Sequence, residues 1–276
     1  MVIALALGAA LAIGVGDFFG TLAARHGRVL AATLWVMITS GVLIVPVALA
    51  FGGSPTPRDY GYGAVAGLGG GLGLLTLYAG YARTSIGIVG PIAAVVSVVL
   101  PVSVGIAIGD PAGSLALAGI FIGVVAVALI GWRPDTGGRH DPRVAIAYGV
   151  GAGIGFGVMA TMLGITSETS GLLPVIPTRI VSTLLLVVIA LVRRIPLWPV
   201  TRSWRYIPGA TLGSLFGILM FTLAAQENLT ISGLLLQMAY GVSALLAILF
   251  LQERSTATQR IGFVAAAAAI VLISVG

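Results

Sequence analysis

The chain of 276 residues contains no cysteine and no lysine, and only 8% of it is charged. Without cysteine there is no disulfide, no thiolate nucleophile and no zinc knuckle. A soluble domain carries about 25% charged residues, so this chain has too few charges to cover a water-facing surface. Histidine is scarce too. His26 and His140 both fall in polar connectors. No Ser-His-Asp set, paired-carboxylate spacing or metal-ligand cluster accompanies them, so neither enzyme chemistry nor a cofactor or metal is expected.

What the chain has instead is apolar length: 58% of it is hydrophobic. About 20 apolar residues cross the roughly 30 Å hydrocarbon core of a bilayer. Ten such runs can be drawn, at 2–24, 29–51, 60–82, 85–108, 113–131, 144–165, 171–192, 205–225, 229–250 and 256–275. Turn-rich stretches separate them, among them "GGSPTPRDY" (52–60), "GDPAG" (109–113) and "RRIPLWPVTRSWR" (193–205). The first run lacks a basic leader and is longer than a signal-peptide core, so it is expected to remain as a spanning helix. The expected fold is therefore all-α, a membrane protein of ten transmembrane helices.

The two parts of the chain resemble each other. "GAALAIGVG" (8–16) matches "GVGAGIGFG" (149–157), and Asp110 falls on Glu253 in a second match, 109–120 on 252–263. Five crossings per half is an odd number, so the second half enters from the opposite face. The expectation is two inverted five-helix repeats, 1–131 and 144–276, joined by a polar linker at 132–143. Inverted repeats are common in secondary transporters, whose sites lie near the midplane between repeats. The 40 glycines are about twice the usual share of roughly 7%. Several stand four apart (Gly149, Gly153, Gly157; Gly67, Gly71), the spacing that lets helix backbones approach closely in lipid. "GLGGGLG" (67–73) lies inside a spanning run with no preceding strand, so it is not read as a phosphate loop.

Few polar groups interrupt these runs. Asp17 stands about 6 Å from the centre of the first run, where an aspartate costs on the order of 2.5–3.5 kcal/mol. It reads as an ion or proton site facing a wet cavity, or else as a helix-packing bond or a snorkel toward Arg25. Arg179 stands near the middle of run seven, roughly 10 Å from Asp17 along the membrane normal, so a direct ion pair is not the default. Its fork suits a substrate carboxylate; helix-end carbonyls, Glu168 or Glu227 could equally satisfy it. Gln237, Tyr240 and Ser243 share one stripe of run nine and read as substrate contacts or as interhelical hydrogen bonds. Tyr78, with Tyr81, reads as a substrate contact or an interfacial aromatic belt. Pro91, Pro101, Pro174 and Pro177 free backbone carbonyls that can kink helices or line a cavity.

In this order of features the chain resembles the EamA-type branch of the drug/metabolite transporter superfamily. The likeness rests on the fivefold halves, the Gly-rich first helix of each, Asp110 and Glu253 after the fourth span of each, and "TRIVSTLLL" (178–186). "GVGDFFGTLAAR" (14–25) adds an Asp-Phe pair. The arginine occurs once only, since the first-half counterpart of Arg179 is about Met37. The resemblance implies movement of small metabolites without ATP, often export of amino acids or related compounds.

The expected function is thus secondary transport of small polar or amphipathic metabolites by alternating access, with Asp17 coupling to protons or another ion and Arg179, Gln237, Tyr240, Ser243 and Tyr78 on the substrate. The competitors are proton-coupled efflux of drugs or organic cations, and a non-transporting membrane scaffold. The expected partners are the lipid bilayer, a small molecule and protons, with no nucleic acid; the chain is read as a monomer or homodimer in the inner membrane of a prokaryote. Twelve of the arginines lie at connectors on one face and only Arg58 on the other. The positive-inside rule then leaves both termini outside, although many relatives in the resembled family are drawn with termini inside.

Overall fold

A computed structural model describes residues 1–84, 86–110, 113–131, 142–250 and 257–275. Most of the 132–143 linker, together with Glu253, lies outside the described residues. The described elements are α1 (Val2–Arg25), α2 (Val29–Phe51), α3 (Pro57–Arg83), α4 (Ile86–Ile108), α5 (Ser114–Gly131), α6 (Pro142–Gly164), α7 (Val175–Val192), α8 (Ile207–Glu227), α9 (Leu229–Leu235), α10 (Met238–Phe250) and α11 (Ala257–Val275). Two short 3-10 turns, Glu168–Ser170 and Thr201–Arg205, lie in connectors, and no strand occurs among the described residues. By length and composition α1, α2, α3, α6, α7 and α8 can each cross a membrane. The outward faces are apolar, with Leu11, Val42, Leu49, Ile154, Leu184 and Leu191 exposed. The molecule is an all-helical, multi-pass membrane protein.

Two boundaries differ from the sequence expectation. Run seven was drawn from residue 171, but α7 begins at Val175, with Pro174 at its N-cap. Pro174 and Pro177 therefore open the helix, where a missing N–H breaks no bond; they do not kink it. Run nine is not one helix. It breaks after Leu235 and restarts at Met238, although no proline is present. The Gln237 side-chain amide donates to Gly233 O at 2.8 Å. That is the carbonyl the Gln237 backbone N–H would use in a continuous helix. The backbone N–H turns instead to Leu234 O, and Ala239 and Tyr240 also bond three residues back. The local winding tightens accordingly.

Glycine decides how closely the helices approach. In α3 the GLGGGLG stretch is continuous helix and forms the seat for two neighbours. Thr178 and Ser182 of α7 donate to the carbonyls of Gly63 and Gly67 at 2.8 and 2.7 Å, a matched four-residue step on both helices. On its other face, α3 meets α6. A methyl at Gly155 would stand 2.6 Å from Gly69 O and 2.7 Å from Gly73 N. The α1–α8 crossing is built alike: a methyl at Gly213 would stand 2.5 Å from both Ala12 O and Gly16 N. No side chain could move aside there, because the obstructing atoms are backbone. The small-residue stripes are thus packing seams, as their spacing predicts.

The connectors gather at two ends. At the first end, Ser203 Oγ donates to Ala23 O at 2.9 Å, and the His26 and Tyr206 rings stack at 5.3 Å. At the second end the 52–56, 165–174 and 226–228 segments are knit together. Thr56 and Asp59 form a capping box on α3, and the other Asp59 oxygen, Oδ1, accepts from Ser167 N at 2.9 Å. Ser54 N donates to Thr169 O at 2.7 Å. Gln226 Nε2 reaches Thr166 Oγ1, Ser170 Oγ and Gly171 O. Gly52, with φ of +76°, ends α2 and lets the chain turn into this clasp.

Candidate functional site

Between the two ends, the helices leave a cavity of about 80 Å³, counted as space for the centres of water-sized molecules. One water needs on the order of 10–15 Å³ by that measure, so the cavity holds several waters or a small solute. Its walls come from α1, α2, α3, α4, α6, α7, α8 and the α9–α10 break. Apolar and aromatic groups such as Ile13, Leu74, Phe156 and Phe221 cover most of it. Asp17, Tyr78, Arg179, Gln237 and Tyr240 all line it. Five of the six side chains singled out in the sequence therefore converge on one space.

Arg179 is 5% exposed, and its guanidinium makes three contacts. Nη1 donates to Met37 Sδ at 3.0 Å; Nη2 donates to Ser214 O and Ser214 Oγ, each at 2.9 Å. Nε, also buried, has no partner. Neither Glu168 nor Glu227 reaches it, and no carboxylate bonds to it among the described residues. A guanidinium carries five N–H donors and is always charged. Here a sulfur and a neutral serine take some of them, and among the described residues the charge has no counterion.

Asp17 is 8% exposed. Its backbone carbonyl accepts from Thr21 Oγ1 at 2.7 Å, but no hydrogen bond reaches its carboxylate among the described residues. The carboxylate lies near enough to the hydroxyls of Tyr78, Tyr81 and Tyr240 to act on them electrostatically. Tyr78 is 1% exposed, and its ring fills the space beside Gly20, where any side chain would collide with it. Tyr78 and Tyr81 are thus both buried, which removes the aromatic-belt alternative for the pair; only Tyr78 reaches the cavity.

A polar chain runs from α4 to the α9–α10 break. Ser97 Oγ donates to Gln237 Oε1 at 2.9 Å, and Gln237 Nε2 passes on to Gly233 O. The Tyr240 side chain lines the cavity with Ser97 and Gln237. Ser243 falls outside this chain. It is buried, does not line the cavity, and its Oγ donates back to Tyr240 O at 3.1 Å.

Sequence reasoning missed Ser97 and Ser214. Ser97 is a lone hydroxyl in "AAVVSVVLP" (93–101), and Ser214 follows Gly213 at the α1–α8 crossing. Each is a polar residue inside an apolar run, a far weaker signal than the ionisable group that flagged Asp17.

No family model and no curated protein matches the chain. Among solved structures, one described only as "Crystal structure of protein" superposes with a TM-score of 0.68 over 96% of each chain at 14% identity. At that identity the likeness concerns the fold alone.

Proposed function

We propose that the chain is a secondary transporter of small polar or amphipathic metabolites that works by alternating access, an EamA-type member of the drug/metabolite transporter superfamily. The observation that carries this reading is one cavity among the helices holding a carboxylate and a guanidinium that are not paired with each other. A buried ionisable group inside a membrane is costly and faces a pathway or a partner. Two such groups of opposite sign, both lacking a counter-charge, suit a solute that brings both signs, such as an amino acid or related zwitterion. Arg179 takes the carboxylate through its fork. Gln237, Ser97 and Tyr240 offer neutral polar contacts, and Asp17 exchanges a proton or receives a cationic group.

The ten-span, inverted-repeat arrangement belongs to this proposal, and three features support it. Exchanging the halves carries the α1–α8 crossing onto α6–α3, and both are glycine seams. Gly14 abuts Ala239 O and Val242, while Gly153 abuts Ala93 O and Val96, the same carbonyl-and-valine pair on runs nine and four. This register pairs Gly14 with Gly153, two residues from the sequence alignment, which set it against Gly155. Arg179 also touches Met37, its counterpart in the other half, as residues on a pseudo-two-fold axis must.

A second reading has support of its own. A carboxylate in a cavity that Tyr78 and Tyr240 also line suits an organic cation, which makes proton-coupled cation efflux the alternative. Purified protein in liposomes separates the cases. Amino acids, nucleosides, sugars and cationic dyes are first screened by thermal shift, and those that bind are tested for counterflow. Counterflow of zwitterions is the expected result, and counterflow of cations alone selects the second reading. No flux of any stabilising solute refutes transport and leaves the scaffold.

A further inference from the structure

The first end of the bundle carries a feature that solute movement does not call for. Arg28, Arg193, Arg194, Arg202 and Arg205 are all exposed there. No acidic side chain accompanies them among the described residues: Asp17 is buried in the cavity, and Asp59, Asp110, Glu168 and Glu227 belong to the second end or the segments leading to it.

The segment that bears four of these arginines is a built surface. Arg194 adopts φ of +51°, and Ile195 N closes the end of α7 by bonding to Ala190 O at 2.8 Å. The chain then lies back across the bundle. Trp35 Nε1 donates to Leu197 O at 3.0 Å. The Trp198 and Trp204 rings flank Trp35 at 4.7 and 4.8 Å. Gly27 packs against Val200 and Ser203, so Arg28 directly follows a residue in contact with this segment. Trp198 is 64% exposed, and neither the Trp198 nor the Trp204 indole N–H is bonded among the described residues. Three of the four tryptophans of the chain thus stand together at one end, rimmed by arginines.

We propose that this segment, residues 193–206 with Arg28, binds the headgroups of anionic phospholipids. Arg28, Arg202 and Arg205 take the phosphate oxygens, and the indoles lie at headgroup depth. The occupant follows from complementarity. Tryptophan concentrates at the membrane–water interface. Arginine presents a fork that matches phosphate. Basic groups beside an apolar span are drawn to a negatively charged leaflet, each by roughly fivefold. A soluble polyanion would account for the arginines but not for an exposed indole at the rim of a transmembrane bundle.

The test uses the tryptophans as reporters and needs no transported solute, so it stands or falls apart from the transport reading. The full chain is placed in vesicles of mixed phosphatidylcholine and phosphatidylglycerol, with bromine on the acyl chains of one lipid at a time. Bromine quenches only a nearby indole. Brominated phosphatidylglycerol should quench out of proportion to its mole fraction, by about tenfold or more at low salt, and the excess should fall at about 0.5 M salt. Arg202→Gln with Arg205→Gln should remove most of the preference. Arg202→Lys with Arg205→Lys should keep most of it, and Arg58→Gln at the second end should leave it unchanged. Trp198→Phe should take away the largest share of the quenched signal. Equal quenching by the two lipids overturns the proposal, as does an unchanged preference in the double Gln variant. Should that variant fail to fold, a wild-type preference indifferent to salt overturns it equally.

Discussion

Arg179→Met separates a substrate-binding arginine from a structural one, because the two roles give opposite signs on different readouts. The guanidinium makes three contacts, to Met37 Sδ and to both acceptors of Ser214. Interhelical hydrogen bonds in membranes average about 0.6 kcal/mol, so losing three costs roughly 2 kcal/mol. Against this, an arginine at a helix centre costs on the order of 2.5–3.5 kcal/mol, and methionine removes that cost while filling a similar volume. The released Ser214 hydroxyl can bond back into its own helix. The two terms nearly cancel, so the unfolding temperature should hold or rise slightly. Binding should behave otherwise. A hydrogen-bonded contact to a charged group is worth about 1.5–3 kcal/mol, which is about 10- to 150-fold in Kd for a carboxylate solute. Thermal unfolding and ligand-induced thermal shift on the same preparation read both quantities. Retained affinity, or a variant that unfolds many degrees lower, refutes the reasoning.

Asp17→Asn should abolish the response of flux to an imposed pH gradient while downhill movement of solute continues; a response that survives removes Asp17 from coupling. Gly213→Val should lower stability by more than about 1–3 kcal/mol, because its methyls meet the backbone of Ala12 and Gly16. Gly61→Val, in open space, is the control, and equal unfolding temperatures for the two would contradict the seam. Ser243→Ala should leave flux and solute affinity unchanged, since the hydroxyl only closes a local bond to Tyr240 O; a loss in either would return Ser243 to the site.

Asp17 and Arg179 were visible in the sequence because an ionisable group inside an apolar run needs a special reason, and the reason is usually a cavity. That the two do not bond to each other was legible too, since helix rise converts residue number into depth. Ser97 and Ser214 were not singled out, because a serine costs little in lipid when it bonds to its own helix, and so carries almost no signal alone. The break at Leu236–Gln237 was hidden for a different reason. It depends on one side chain taking the carbonyl that its own backbone would have used, and no residue type advertises that choice. The start of α7 was misplaced because "GLLPVIP" (171–177) is apolar throughout, and apolarity does not distinguish a helix from the turn that precedes it.

The contacts in this fold are of two kinds, and the difference bears on how a carrier built this way could move. Where α1 crosses α8, and where α3 meets α6 and α7, backbone lies against backbone with no side chain between. Close packing of that kind cannot slide by less than a whole turn without collision. The clasp at the second end is different in nature. Asp59 to Ser167, Ser54 to Thr169, and Gln226 to the 166–171 segment are hydrogen bonds in polar connectors. Water can replace each at a net cost of about 0.5–1.5 kcal/mol. Under the alternating-access reading, the glycine seams therefore define the bodies that stay whole, and the part of the clasp that joins α8 to the α6–α7 connector, Gln226 with Thr166, Ser170 and Gly171, is what opens. Both seam pairs join helices drawn from different halves of the chain. The rigid units would then be mixed bundles, α1 with α8 and α3 with α6 and α7, and the cavity charges lie between them, Asp17 on the first and Arg179 on the second.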